Sequence, residues 1–101
     1  MVRLFRVQLH GTGILVDGEA DQPPIVGFYT TRSVKARSPE DAVRVASQLV
    51  TAQWSEDGAY AERNRASLPQ LSAEWVRPDN FLSRIFFRAT GYCFYWDEAD
   101  E

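Results

Sequence analysis

The chain has 101 residues, of which 45% are hydrophobic and 25% are charged, a composition typical of one globular domain. The formal net charge is −3, but four of the fourteen acidic residues lie in the last five positions, so the remainder is nearly neutral. This balance argues against a nucleic-acid partner, because phosphate binding relies on a strong positive field. We therefore expect a single α+β domain over residues 1–96, followed by an acidic tail over residues 97–101.

The first predicted element is a strand over residues 2–9. Its apolar side chains recur at every second position, which places them on one face of a sheet. That face comprises Phe5, Val7 and Leu9. The next stretch, residues 10–13, contains two glycines and should bulge or end the strand, and residues 14–16 either continue it or pair beside it.

A second, longer strand is predicted over residues 25–37, after a polar loop over residues 17–24 that contains two prolines. One face of this strand begins with Tyr29 and then becomes polar, as expected for a solvent-exposed face. The opposite face is apolar at both ends and comprises Phe28, Thr30, Arg32, Val34 and Ala36. It therefore places a charged residue, Arg32, among core positions.

A helix is predicted from Pro39 to about Gln53. Ser38 can cap its N-terminus, Pro39 fits the first helical position, and two acidic residues follow in the first turn. Apolar residues at helical spacing form one stripe that should face the core. The stripe comprises Ala42, Val45, Ala46, Leu49 and Val50.

The second half of the chain is predicted less sharply. Residues 54–70 are polar and form either a long loop or a hidden helical turn. A third strand follows over residues 71–77, then a short helix over residues 80–88 capped by Asp79, and a last strand over residues 92–96.

These elements have the order β-β-α-β-α-β. Short helices and hairpin-length connections predict an α+β fold with an antiparallel or mixed sheet of about four strands and two helices on one face. The strand followed by a capped amphipathic helix resembles the units of small ferredoxin-like modules. We therefore expect a ferredoxin-like arrangement.

The candidate ligand-binding residues surround Arg32. A guanidinium on a core-like face must be paired and hydrogen-bonded, and Glu74 on the third strand is a candidate partner. A salt bridge or a bulge in the strand would account for Arg32 structurally. The functional alternative is a pocket in which Thr30, Arg32, Arg6 and Glu74 bind an anionic small molecule or a partner carboxylate.

Catalytic and metal-binding signals are weak. The chain has one histidine, His10, and one cysteine, Cys93, which cannot supply the ligands of a zinc centre. A Cys–His catalytic pair would need the first and last strands to be neighbours and a third residue to orient His10. The sequence therefore favours a non-enzymatic role without a metal or other cofactor.

The single cysteine cannot form a disulfide within the chain, and no apolar run reaches the length of a signal peptide or a membrane span. We expect a cytoplasmic protein that has no membrane contact. Aromatic residues on the sheet predict an interaction surface, so the leading hypothesis is a small non-catalytic binding or protein-interaction module that forms a homodimer. The alternatives are a small-molecule enzyme using the Arg32 pocket and a nucleic-acid or toxin–antitoxin type partner protein.

Overall fold

The structure is a computed structural model that describes residues 2–18, 22–55, 58, 60–79 and 91–96. Within these ranges the chain forms one sheet and one helix, and that helix is not long and apolar enough to cross a membrane. The elements in chain order are β1 (Arg3–Val16), β2 (Ile25–Ala36), α1 (Pro39–Trp54), β3 (Gln70–Pro78) and β4 (Tyr92–Trp96).

The four strands form one antiparallel sheet in the order β3-β1-β2-β4. β1 and β2 are the central strands, and they pair as a long hairpin. β2 and β3 lie on either side of β1 and run in the same direction, with α1 in the connection between them. Because α1 contacts β1, β2 and β3, it covers one face of the sheet.

The predicted ferredoxin-like arrangement, with two helices in a β-β-α-β-α-β order, is wrong. The described residues contain one helix and four antiparallel strands, and more of them lie in strands than in the helix. The second predicted helix, residues 80–88, and the acidic tail, residues 97–101, lie outside the described residues. Periodicity identifies elements one at a time, whereas strand order depends on contacts between residues far apart in the chain, so the pattern could not supply it.

The core lies between α1 and the face of the sheet that the alternation in β1 and β2 predicts. Phe5 pairs with Val34, and Leu9 pairs with Thr30, across the central hairpin. The ring of Phe28 stacks on Trp54 of α1 with centroids 5.3 Å apart. The buried apolar side chains of this core are Phe5, Val7, Leu9, Ile14, Phe28, Val34, Ala36, Ala42, Ala46, Val50 and Trp54.

β1 continues to Val16, one of the two predicted outcomes, because the glycines after His10 do not end it. Gly11 is buried, and a Cβ at this position would collide with the ring of Phe28 on the paired strand. The expected irregularity falls between Thr12 and Val16, where the register shifts, and Gly13 has a φ of 83°. Glycine is needed there because other residues seldom adopt a positive φ.

The start of α1 agrees with the prediction, but its buried side chains differ from the predicted stripe at Leu49 and Trp54. Ser38 accepts a hydrogen bond at Oγ from the backbone N–H of Asp41 at 3.1 Å, which confirms the cap. Leu49, expected in the core, is 49% exposed, whereas Trp54 is buried. Packing therefore uses residues four apart along the helix, so the stripe is narrower than the apolar pattern suggests.

The segment after α1 is fastened to the end of β1 by Asn64. Its Oδ1 accepts a hydrogen bond from the backbone N–H of Leu15 at 3.0 Å, and the N–H of Arg65 donates to the carbonyl of Leu15 at 2.7 Å. Asn64 also forms an isolated bridge with Val16. Before this bridge, residues 60–63 form a turn in which the N–H of Asn64 donates to the carbonyl of Tyr60 at 3.2 Å, in agreement with the predicted helical turn.

Candidate functional site

The face of the sheet opposite α1, called the outer face below, carries the side chains that alternate with the core positions. On β1 these include Arg6, Gln8 and His10, which pair across the hairpin with Ser33, Thr31 and Tyr29. The described residues place no helix on this face. Its end near the hairpin loop gathers three rings and a carboxylate: His10, Tyr29, Tyr95 and Glu74, which we call the aromatic cluster.

His10 is at the centre of the aromatic cluster. Its ring stacks on Tyr29, with centroids 4.5 Å apart and planes 10° apart. Its Nε2 lies 2.7 Å from the hydroxyl of Tyr95, whose ring is also 6.0 Å from the ring of Tyr29. Stacking and hydrogen bonding together fix the orientation of the imidazole.

Glu74 reaches His10 from the neighbouring strand β3. The register between β1 and β3 shifts here, because Gln8 pairs with Trp75 whereas Leu9 pairs with Ala73, which leaves Glu74 as the extra residue of a bulge. Its carboxylate Oε1 is 3.6 Å from Nδ1 of His10, and the two side chains are 41% and 23% exposed, respectively. In the tautomer that carries its proton on Nδ1, that proton faces the carboxylate and Nε2 accepts the hydrogen bond from the Tyr95 hydroxyl.

Tyr95 can lie across the sheet because it pairs with a glycine. Gly27 on β2 is its register partner, and a Cβ at this position would collide with the Tyr95 ring and hydroxyl. Burial raises the pKa of Tyr95 above the ordinary value of 10.0, and neighbouring Tyr29 raises it further. The phenol of Tyr95 therefore stays neutral at neutral pH and keeps a proton that it can donate to His10.

Arg32 and Thr30 lie on the other side of the sheet, facing α1. The Nε of Arg32 donates to Oγ1 of Thr30 at 3.2 Å, and its Nη2 donates to Oε1 of Gln53 at 2.9 Å. The guanidinium also lies 5.1 Å from the ring centroid of Tyr92, whose hydroxyl donates to the same Gln53 oxygen. Arg32 thus joins the end of α1 to β2 and β4 through partners within the chain.

Tyr92 and Thr30 complete this network. Thr30 donates through Oγ1 to the carbonyl of Gly91 at 3.0 Å, which ties the start of β4 to β2. Burial is the main reason that the pKa of Tyr92 is raised above its ordinary value of 10.0. The network is therefore a set of satisfied polar groups at the edge of the core.

Arg6 takes part in a separate network on the outer face. Its Nη2 is 3.6 Å from Oδ1 of Asp79, and Ser33 donates through Oγ to Oδ2 of Asp79 at 2.8 Å. The backbone N–H of Asp79 donates to the carbonyl of Leu4 at 2.9 Å. These bonds attach the end of β3 to the central hairpin.

The four residues predicted to line one pocket are thus divided between the two faces of the sheet. Thr30 and Arg32 come together beneath α1, whereas Arg6 and Glu74 lie on the outer face, where Glu74 contacts His10 instead of Arg32. Ligand binding by either pair stays a prediction. The alternation of side chains along β1 could have shown that Arg6 faces away from Arg32, because Arg6 lies between Phe5 and Val7 of the core face.

The sequence pattern did not predict the aromatic cluster as a group, although it places two of its members on the face opposite the core. His10 and Tyr29 both fall on the faces that alternate with the core positions. Their pairing, the bulge at Glu74 and the reach of Tyr95 depend on strand order. A catalytic Cys–His pair would need His10 and Cys93 on neighbouring strands. β2 separates β1 from β4, so the two residues are not on neighbouring strands.

Near the hairpin loop, a cleft of about 570 Å³ lies between the end of β1 and the segment fastened by Asn64. Its lining contains two acidic and two basic residues, so its charge is balanced. One acid and one base of this lining, Asp17 and Arg65, form an exposed ion pair at 3.0 Å. The described residues contain no group of three or more His, Cys, Asp or Glu side chains placed to hold a metal ion.

A comparison of the chain with profiles of known protein families, with curated proteins and with solved structures finds no match.

Proposed function

We propose that this protein is a non-catalytic interaction module that binds a protein partner through the aromatic cluster on the outer face. The observation that carries the proposal is the ordered group of rings around His10, with Tyr29 37% exposed and Glu74 41% exposed. Tyrosine rings are enriched at protein interfaces because they offer a large contact area and a polar tip.

The rigidity of the cluster supports binding rather than chance exposure. His10 is held by Tyr29 on one side, by Tyr95 at Nε2 and by Glu74 at Nδ1. Side chains that are already ordered lose less conformational entropy when a partner covers them, so more of the contact energy appears as affinity. Small clusters of this kind carry much of the binding energy in protein interfaces.

The alternatives have less support from the contacts of their own residues. An enzyme centred on Arg32 would need a guanidinium aimed at a ligand, whereas two of its nitrogens bind Thr30 and Gln53. A nucleic-acid surface would need basic residues in contact with the rings of the aromatic cluster, and the charged group in contact with His10 is the carboxylate of Glu74.

Partner capture with two matched variants tests the proposal. Tagged wild-type protein, Tyr29→Ala and Leu49→Ala are incubated with extract of the source cells, and bound proteins are quantified by mass spectrometry. Leu49 is a control because it is also an exposed large hydrophobic residue but lies on α1, on the other side of the sheet. A partner lost with Tyr29→Ala and kept with Leu49→Ala supports the proposal, and equal capture by all three proteins contradicts it.

A further inference from the structure

We propose that the aromatic cluster binds the guanidinium group of an arginine presented by a different protein. This inference rests on the interaction function proposed above and adds the chemistry of the partner. It follows from the charge at this end of the sheet, the arrangement of the rings and the stacking geometry that the chain itself uses elsewhere.

The charge around the cluster favours a cation. The carboxylate of Glu74 is 41% exposed and lies beside His10 at 3.6 Å, which leaves part of it available to a partner. Two bases share this face: Arg6 is four residues from His10 along β1, roughly 13 Å at the rise of a strand, and Arg77 pairs with Arg6 and lies over Trp75. The register neighbours at the cluster end are uncharged: Ser72, Gln70, Thr12 and Cys93.

The rings supply a second attraction for the same group. Tyr29 and Tyr95 lie 6.0 Å apart with their planes tilted by 44°, and Tyr29 is 37% exposed. The face of a tyrosine ring is electron-rich, so it attracts a cation that lies over it. Tyr29 and Glu74 flank the ring of His10 on β2 and β3, so one cluster offers both an exposed ring and a carboxylate.

Arginine fits this combination better than lysine. A planar guanidinium can stack on a ring and offer parallel N–H donors to a carboxylate, whereas an ammonium is compact and strongly hydrated. The same sheet already contains this stacking twice. Arg77 lies 4.7 Å from the ring centroid of Trp75, and Arg32 lies 5.1 Å from that of Tyr92.

A nuclear magnetic resonance titration tests the inference on the full chain. The probe is the capped peptide acetyl-Gly-Arg-Arg-Gly-amide, and the comparison peptide has lysine in place of both arginines. We expect the arginine peptide to shift the signals of His10, Tyr29 and Tyr95, and to bind more tightly than the lysine peptide. Equal affinity for the two peptides, or shifts confined to other residues, would overturn the inference.

Two variants separate the carboxylate of Glu74 from the general negative charge of the chain. Glu74→Gln should weaken arginine-peptide binding by about fivefold, the upper range for an exposed ion pair. Glu62→Gln removes the same charge at an exposed position outside the cluster and should leave the affinity unchanged. Equal effects of both variants would show that long-range charge, and not the cluster, holds the peptide.

The outcomes also separate this inference from the function on which it rests. If the captured partner depends on Tyr29 while Glu74→Gln binds the arginine peptide as well as the wild type does, the interaction function stands and the arginine site fails. If capture is independent of Tyr29, the interaction function fails whatever the peptide does. If dilution of the protein alone shifts the cluster signals, a second copy occupies the cluster and the inference of a different protein is overturned.

Discussion

The ring of Tyr95 lies over Gly27, its register partner on the neighbouring strand. On the other face of the sheet the ring of Phe28 lies over Gly11 in the same way, because Gly11 and Phe28 are also register partners. An aromatic ring that covers a glycine protects its backbone and fills the space of the missing side chain. One pair supports the core, and the other brings the Tyr95 hydroxyl to His10 at 2.7 Å.

We expect Gly27→Ala to displace Tyr95 from His10 and to lower the free energy of unfolding by about 1–3 kcal/mol, the usual cost of forcing an extra methyl group into a filled space. Chemical denaturation measures the loss, and the Tyr95 ring signals report the displacement. Gly91→Ala is the matched control, since a Cβ at Gly91 meets nothing within 4 Å. An equal change in both variants would contradict the packing of Tyr95 on Gly27.

Replacement of Arg32 by leucine should destabilise the fold. The change leaves Oε1 of Gln53 and Oγ1 of Thr30 without their charged donor, and hydrogen bonds to charged groups contribute about 1.5–3 kcal/mol. Thermal and chemical denaturation measure the effect. Arg3→Leu, at an exposed position of β1, should change the unfolding free energy by about 0.5 kcal/mol or less.

The opposite outcome for Arg32→Leu would support the predicted anion-binding pocket. A variant that keeps its wild-type stability and loses binding of a small anion, such as acetate or phosphate, would show that the guanidinium serves a ligand. The network with Gln53 and Tyr92 predicts the loss of stability instead.

Stability should fall at alkaline pH because the pKa values of Tyr92 and Tyr95 are raised by burial. A group whose pKa is higher in the folded state contributes its full stabilisation below the unfolded value, here about 10, and loses it as the pH rises through the folded value. Unfolding free energies measured between neutral pH and the alkaline limit test this. Tyr92→Phe should show a shallower alkaline decline than the wild type, and an unchanged slope would contradict the role of Tyr92.

The homodimer expected from the sequence is tested by sedimentation over a range of protein concentrations that includes micromolar values. An association through the sheet or its edge should give a dimer mass at the upper end of the range. A monomeric mass at every concentration, measured for the wild type, would contradict it. Tyr29→Ala then shows whether any dimer uses the aromatic cluster, because only that arrangement buries Tyr29.

Local sequence patterns predicted the strands and the helix of the described residues well. Alternation placed Phe5, Val7 and Leu9 in the core, and Ser38 caps α1 as its hydroxyl and position suggest. These features depend on residues within a few positions of one another, so they can be inferred along the chain. Leu49 is the exception within the helix, because its exposure depends on how closely α1 packs on the sheet.

The site depended on the tertiary structure. Strand order decided that β1 lies between β2 and β3, and this placed His10 beside both Tyr29 and Glu74. The bulge at Glu74 and the fit of Tyr95 over Gly27 require partners that are tens of residues away in the chain.

The sequence by itself therefore determined which residues form strands and helix, and which of their faces are apolar, because hydrophobic periodicity is a local property. Only the tertiary structure decided that Arg32 donates hydrogen bonds to Thr30 and to Gln53 of α1 and that His10 is the centre of a cluster on the outer face. Pairing between strands selects among several registers with similar local patterns, and the selection is made by packing across the whole sheet.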